Sequence, residues 1–398
     1  MSNFSIGVMG EVAKGKRGVS YKPEDLVLEH RDEHFRLLTA GNIQDGITTT
    51  DSYTKVSAKC VSPEQQISPD DILVCMSNGS KRLVGKSSRL RSGESRYCVG
   101  AFCSTFSPVS GADPDYVFHL FQSEIFQRQV QDALEGSAIN NLKNSMVESF
   151  EVPIPLLPEQ KKIAEILSGI DRYIDRIAIK VGKCKKILQG IFVELDQIEN
   201  QGSTARLGEI VAIQNGYAFP SKIFTEERDG IPLIRISNIQ HGVVDLSKSK
   251  KIPANFSVSD EYKIHKGDIL ISMSGATTGK IGISCSETIC LLNQRVGKFS
   301  FQGSDVTNEF MSQLLLSGYL EHRFLAAAAG GAQPNISDQG IEALQVPLPD
   351  ELRQSNLSRA ISGIRNLIAS ENKVTAKHLH LKKALASDLL SGRKRVSV

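Results

Sequence analysis

The sequence predicts an α+β protein: two similar, mixed, strand-rich domains joined by two long antiparallel coiled-coil helices, related by an internal pseudo-twofold duplication. Three observations predict it. The 398-residue chain repeats itself at a spacing of about 194 to 198 residues. Each copy opens with about 145 residues of short β-branched runs broken by Gly, Pro, Asn and Ser. Each then closes on a long stretch whose apolar residues follow a heptad.

Four blocks carry the repeat, in the same order in both halves. Met9-Gly10-Glu11-Val12 answers Leu207-Gly208-Glu209-Ile210, and Gly18 answers Gly216. LLTAGNIQDG (37–46) answers LIRISNIQHG (233–242), sharing Asn-Ile-Gln-x-Gly. ISPDDILVCMSNGS (67–80) answers IHKGDILISMSGAT (264–277), and Val99-Gly100-x-Phe102 is matched to Val296-Gly297-x-Phe299. EVPIPLLPEQ (151–160) answers QVPLPDELRQ (345–354). One such coincidence means little; four collinear ones mean duplication. The expected divisions are a first domain over 1–152, a helical spacer over 153–200, a second domain over 201–346 and a second spacer over 347–398. The length agrees, since single hydrophobic cores rarely grow past about 250–300 residues.

After Pro158 the seam reads Ile163, Leu167, Ile170, Ile174, Ile177, Val181, Cys184, Leu188, Ile191 and Leu195, in steps of four and three without a miss. In the second copy Leu357, Ile361, Ile364 and Ile368 keep step, and Val374, Leu381, Leu385 and Leu389 resume after a break near Glu371 that suggests a stammer. Each helix can bury its stripe on its own domain or against the other helix; mutual pairing solves both burial problems at once. A helix of about 37 residues is about 55 Å long. Such a pair acts as a ruler suited to DNA half-sites about one duplex turn, 34 to 36 Å, apart.

Composition excludes several classes. With 40% hydrophobic and 23% charged residues the chain is neither disordered nor fibrous. No apolar run reaches the roughly 18–20 residues of a membrane span, and the first residues lack the apolar block of a signal peptide, so a cytoplasmic protein with no membrane partner is expected. Seven scattered cysteines without a CxxC pair argue against disulfides or structural zinc, and Cys184 reads as a core residue. The net charge of +3 is uninformative, but its distribution is not. Lys81, Arg82, Lys86, Arg89, Arg91 and Arg96 face a single acid, Glu94, within sixteen residues, and the chain after Glu351 is basic. Clustered cations supply sequence-independent affinity for phosphates; a solvated loop is the plainer reading of such a run.

Bases are read mainly through the major groove by Arg, Lys, Asn and Gln. The candidates are therefore the six cations of the first domain and, in the second, Asn215, Tyr217, Arg235, Thr277, Thr278, Lys280, Asn293, Gln294 and Arg295. Replacing Arg89 and Arg91 is expected to weaken binding and flatten its salt dependence. Asn42 and Asn238 recur in both copies, which suits a turn cap better than readout of a variable sequence. Three motifs mislead. SGATTGK (274–280) has three residues, not four, between its glycines and Ile281 where a phosphate loop needs Ser or Thr. Glu261-x-Lys263 is half of a metal-nuclease motif without a counterpart in the first copy, and His30 and His34 lack further ligands. The Pro-Pro-Tyr or Pro-Pro-Phe loop of an aminomethyltransferase is missing too, so methyl transfer would belong to a partner.

The Asn-Ile-Gln-x-Gly blocks, the Gly267-Asp268-Ile269-Leu270 to Gly282 segment and Pro-x-Pro-Leu-x-Pro-Glu-Gln at 153–160 together resemble the specificity subunits of type I restriction-modification systems, over nearly the whole chain. The resemblance implies two target-recognition domains, each reading half of an asymmetric bipartite DNA site, and two conserved helical spacers. It also implies two methyltransferase partners and motor-nuclease restriction partners. No cofactor is implied in this chain: S-adenosylmethionine would sit in the methyltransferase, ATP and magnesium in the restriction subunit. The second spacer departs from the pattern, with Arg353 where the first copy has Glu159, which leaves the start of its helix open. A coiled-coil adaptor for protein and a stand-alone nuclease using Glu261 and Lys263 are the competing readings.

Overall fold

The structure, a computed structural model, describes residues 4–27, 33–44, 46–90, 96–135, 140–240, 242–328 and 334–397. It divides into unit 1, Met1–Ile177 with Val374–Val398, and unit 2, Ala178–Lys373.

In unit 1 the chain forms β1 (Ser5–Val8), β2 (Ala13–Arg17), β3 (His34–Leu38), β4 (Gly46–Ile47), β5 (Thr54–Ser57), β6 (Ile72–Cys75), β7 (Ser87–Arg89), β8 (Tyr97–Val99) and β9 (Cys103–Pro108). Then come α1 (Pro114–Phe121), α2 (Glu124–Glu135), α3 (Asn144–Glu148), β10 (Glu151–Ile154) and the 44-residue α4 (Leu157–Asn200), whose residues from Ala178 onward belong to unit 2. Unit 2 continues with β11 (Thr204–Arg206), β12 (Val211–Asn215), β13 (Ile231–Ile234), β14 (Ile239–Gln240), β15 (Gly242–Val244), β16 (Lys250–Ile252), β17 (Lys263–Ile264), β18 (Ile269–Ser272), β19 (Ile281–Ile283), β20 (Cys290–Leu292) and β21 (Val296–Phe301). It closes with α5 (Asp305–Leu316), α6 (Glu321–Ala327), α7 (Asp338–Glu342), β22 (Gln345–Pro347) and α8 (Glu351–Leu390), whose residues from Val374 onward return to unit 1.

Strand order confirms the duplication independently of residue identity. Among the described residues the main sheet of unit 1 runs β2-β9-β6-β7-β4, and that of unit 2 runs β12-β21-β18-β19-β15 before adding β14. The second sheets run β5-β3-β8 and β16-β13-β20, the latter extended by β17, and β1-β10 is matched by β11-β22. The repeated residues are the fasteners of this plan. Asp71 and Asp268 accept the amides of Ser68 and His265, each at 2.8 Å, turning the chain into β6 and β18. Asn42 and Asn238, both buried, accept the amides of Thr39 and Arg235 and donate to Thr49 and Asp245 carbonyls, so they are turn caps. Gln160 and Gln354 donate to the Pro155 and Pro349 carbonyls at 2.8 and 2.7 Å, fixing each proline-rich lead-in against its helix. That second helix starts at Glu351 despite Arg353.

Both ways of burying a helical stripe are used. At their ends the helices complete the domain cores. In unit 1, Ile163, Ala164 and Leu167 of α4 and Leu389 and Leu390 of α8 join one apolar cluster with Phe106, Tyr116, Phe121 and Phe126. In unit 2, Leu195 and Ile198 of α4 and Leu357 of α8 join Phe299, Phe310 and Phe324. Between these ends the helices face each other in antiparallel fashion. Within unit 1, Asp171 pairs with Lys382 at 2.6 Å and the rings of Tyr173 and His378 lie 4.6 Å apart. Within unit 2, Lys180 pairs with Glu371 at 2.5 Å.

These contacts correct the reading of the second seam. No stammer interrupts α8, because the heptad passes through polar residues: Ile364, Ile368, Glu371, Thr375, His378, Lys382, Leu385 and Leu389 keep steps of four and three, all at least partly buried. Leu381, expected in the seam, is 49% exposed, one position off the stripe. The first seam keeps its expected phase, with Ile177 and Cys184 buried and Ile170, Ile174, Val181, Leu188 and Ile191 partly so. In α8, Ile361 is buried and Val374 partly so.

The buried cysteines are inert packing. Burial pushes the Cys98 and Cys103 thiols up to about 12, far from the reactive thiolate. His119 of α1 lies against Ser168 of α4 at 3.0 Å, and burial, with the Lys382 and Arg89 charges, holds its imidazole down to about 3, so it stays neutral.

If the final helix completes the first core, Leu389→Ala should lower the protection of the β9 amides by about 2–5 kcal/mol in hydrogen exchange. Leu381→Ala should change it by less than about 0.5 kcal/mol. Equal effects would contradict the assignment of the stripe.

Candidate nucleic-acid interface

In each unit three connections meet at one place, and each follows a strand paired within a sheet. In unit 1 they are the turn after β3 (39–42), the loop after β6 (77–84) and the turn between β8 and β9 (100–102). A cleft of about 330 Å³ opens among them, bordered by Thr39, Gly41, Ser77, Asn78, Gly79 and Phe102. The counterparts in unit 2 are 235–238, 274–278 and 293–295.

Hydrogen bonding fixes the correspondence residue by residue. The Cys103 amide donates to the Gly100 carbonyl and the Met76 amide to the Phe102 carbonyl; the Val296 amide donates to Asn293 and the Met273 amide to Arg295. Gly100-Ala101-Phe102 therefore corresponds to Asn293-Gln294-Arg295. The match of Val99-Gly100 to Val296-Gly297 drawn from sequence is corrected: β9 and β21 place Cys103 opposite Cys75 and Val296 opposite Ser272, so Cys103 is the counterpart of Val296. Gly18 and Gly216 hold this turn from below. A Cβ there would lie 2.2 Å from the Gly100 oxygen and 2.3 Å from the Asn293 oxygen, so only glycine permits the approach.

The second loop differs in length between the units. Gly85 and Gly279 donate equivalently to the Cys75 and Ser272 carbonyls, which leaves seven residues, 78–84, in unit 1 where unit 2 has four, 275–278. Lys81 and Arg82 stand exposed on the longer loop. The four-residue loop spends its hydroxyls on backbone carbonyls in and around it: Thr277 donates to Ile236 O and Thr278 to Gly275 O and Pro334 O, and Thr278 is buried. These two threonines fasten the loop, contrary to the expectation that they face DNA. Lys280 is partly buried just beyond it.

The remaining candidates scatter. Arg89 points inward, where its guanidinium reaches Asp115 and the Pro114 carbonyl at 2.5 Å and lies 4.8 Å from the Phe118 ring centre. It is a structural residue of the α1 contact rather than a phosphate ligand. Lys86 is partly buried, Arg96 sits at φ 86° with Glu33 3.6 Å away, and Arg91 and His30 lie outside the described residues. Asn215 donates to Asp338 at 3.2 Å. Tyr217, by contrast, flanks the 293–295 turn: its carbonyl accepts the Gln294 amide, the residue is 40% exposed, and its ring packs against Phe219 and Tyr262. The Asn293 amide donates to the Ile234 carbonyl, so Arg235 and Tyr217 both border the turn of Asn293, Gln294 and Arg295. Among the described residues Arg235 Nε is buried without a hydrogen-bond partner. As for the nuclease half-motif, Lys263 is engaged by Asp260 at 2.5 Å and Glu261 is exposed.

Sequence reasoning missed Phe102, 71% exposed at the mouth of the unit 1 cleft. A four-residue shift in the repeat hid it: three residues come from the shorter loop after β18, and one more is lost between Gly279 and Val296.

Two variants separate structural from exposed cations. Replacing Lys81 and Arg82 with alanine should reduce the salt slope of DNA binding by about one for each phosphate no longer neutralised. Arg89→Ala should leave that slope unchanged and lower stability by about 1–3 kcal/mol, because its charged hydrogen bonds to Asp115 and Pro114 disappear, as read by thermal melting. A flattened slope for Arg89→Ala would contradict its inward placement.

Comparison with known proteins agrees with this architecture. The family model of the type I restriction modification DNA specificity domain matches residues 10–186 and again 202–377. The specificity subunit of type I restriction enzyme EcoKI from Escherichia coli is 26% identical over 381 residues, spanning 87% of this chain and 78% of its own. That of MjaVIII from Methanocaldococcus jannaschii is 26% identical over 416 residues, spanning 98% and 92%. The crystal structure of the type I restriction-modification S subunit from M. genitalium shares the fold, with a TM-score of 0.63 at 16% identity over 98% of this chain and 96% of that one. With two copies of the domain spanning most of its length, the chain belongs to the family of type I restriction-modification DNA specificity subunits.

Proposed function

We propose that this chain, which supplies DNA sequence specificity within a type I restriction-modification complex, reads an asymmetric two-part site, one part with each strand-rich domain. One observation carries the reading: a single hydrogen-bonded scaffold occurs twice, with different side chains and loop lengths at corresponding exposed positions. Identical readers would give a symmetric site; these two differ where bases would be met.

The chain itself performs no chemistry in this account. Methyl transfer belongs to two methyltransferase partners that hold S-adenosylmethionine, and cleavage to restriction subunits using ATP and magnesium, all acting in the cytoplasm. Double-stranded DNA is the partner of the two cleft regions. Among the described residues no helix is long and apolar enough to cross a membrane. The pairing of Lys263 with Asp260 argues against a nuclease built on Glu261, and the exposed Lys81 and Arg82 argue against a purely protein-binding adaptor.

The helical segments set the spacing between the two parts. Because α4 and α8 pair antiparallel, shortening must remove matched heptads, residues 178–184 and 368–374, which spares the ends that complete the cores. Loss of seven residues shortens each helix by about 10 Å, or about three base pairs. In a methylation-site map the variant should keep both half-sites and shorten the spacer between them. An unchanged spacer in a folded, active complex would refute this role.

A further inference from the structure

We propose that the β8–β9 turn and its counterpart between β20 and β21 are the base-reading turns of the two domains. Phe102 would take an apolar contact with a thymine methyl in one half-site, and Arg295 a bidentate contact with guanine in the other. This rests on the two-reader function above and assigns it to residues.

The two turns are equivalent in backbone and opposite in chemistry. In both, the first residue's carbonyl accepts the amide three positions on, at 2.8 and 2.9 Å, and the third residue's carbonyl accepts a methionine amide, at 2.9 and 3.0 Å. Gly18 and Gly216 press against the first residue in each case. The fold thus fixes the backbone and makes no demand on the third side chain. Phe102 is 71% exposed and belongs to no apolar cluster. Arg295 is exposed, and among the described residues no hydrogen bond or ion pair holds its guanidinium.

Their surroundings point to a ligand with base edges and phosphates. Phe102 stands at the mouth of a cleft bordered by small residues, Gly41, Ser77 and Gly79, with Lys81 and Arg82 exposed on the same loop. Small walls leave room for a planar base edge, and the adjoining cations suit its backbone. At the second turn Arg295 is accompanied by Gln294, Tyr217 and Arg235, a set of donors with an aromatic flank. An arginine fork matches guanine O6 and N7, and an apolar side chain matches the thymine methyl.

The test is a methylation-site map of hosts carrying the wild-type chain or the variants Phe102→Ala, Arg295→Ala and Arg295→Lys, with melting of each purified complex as the control for folding. Arg295→Ala should lose about tenfold or more in discrimination at a guanine position of one half-site, with the other half-site intact. Arg295→Lys should lose most of it too, because the ammonium cannot make the fork. Phe102→Ala should relax a thymine-containing position in the other half-site alone. Folded complexes whose motif is unchanged in every variant would overturn the assignment to these turns while leaving the two-reader function standing. A wild-type motif that is one uninterrupted sequence would overturn that function, and this proposal with it.

Discussion

Neither strand-rich domain closes its core with its own residues. The first is completed by Ile163 and Leu167 from the start of α4 and by Leu389 and Leu390 from the far end of α8, more than two hundred residues later. The second is completed by Leu195 and Ile198 from the end of α4 and Leu357 from the start of α8. Apolar burial at the helix ends therefore couples each domain to both helices, and the antiparallel direction of the helices follows from it. The polar contacts between, Asp171 with Lys382 and Lys180 with Glu371, contribute little to burial. Their value lies in register, since a shift of one heptad would leave a partly buried charge without its partner. Such long-range closure also implies slow folding, because the first core waits for the last helix.

The scaffold and the proposed reading surface obey different rules. Asp71, Asn42 and Gln160 recur as Asp268, Asn238 and Gln354 because each satisfies a backbone group that any copy of this fold must satisfy. The turn at 100–102 and its counterpart at 293–295 need only a backbone path, held from below by Gly18 or Gly216. Side chains there are free to diverge, and they do, from phenylalanine to arginine. Function concentrates on such connections for that reason.

Much of this was legible in the sequence. The repeat, the α+β composition and the seam of α4 follow from periodicity and from shared Asp, Asn, Gln and Gly. The second seam was harder, because Glu371, Thr375, His378 and Lys382 occupy inward positions and an apolar stripe cannot reveal them; Leu381, the nearest leucine, faces out. Residue type was a poor guide at the candidate interface. Arg89 is a cation spent on Asp115, and Thr277 and Thr278 are hydroxyls spent on the carbonyls of Ile236 and Gly275. Phe102 carried no polar signal and was displaced by a local Val-Gly match that the sheet register overrules.

A two-reader function requires the two domains to touch different parts of one DNA site. Photo-crosslinking tests this directly, using duplexes that carry a photoreactive base in one half-site at a time and the assembled complex. Crosslinks from one half-site should map to peptides within residues 4–154, and those from the other to peptides within 204–347. Crosslinks from both half-sites converging on the same domain would contradict it.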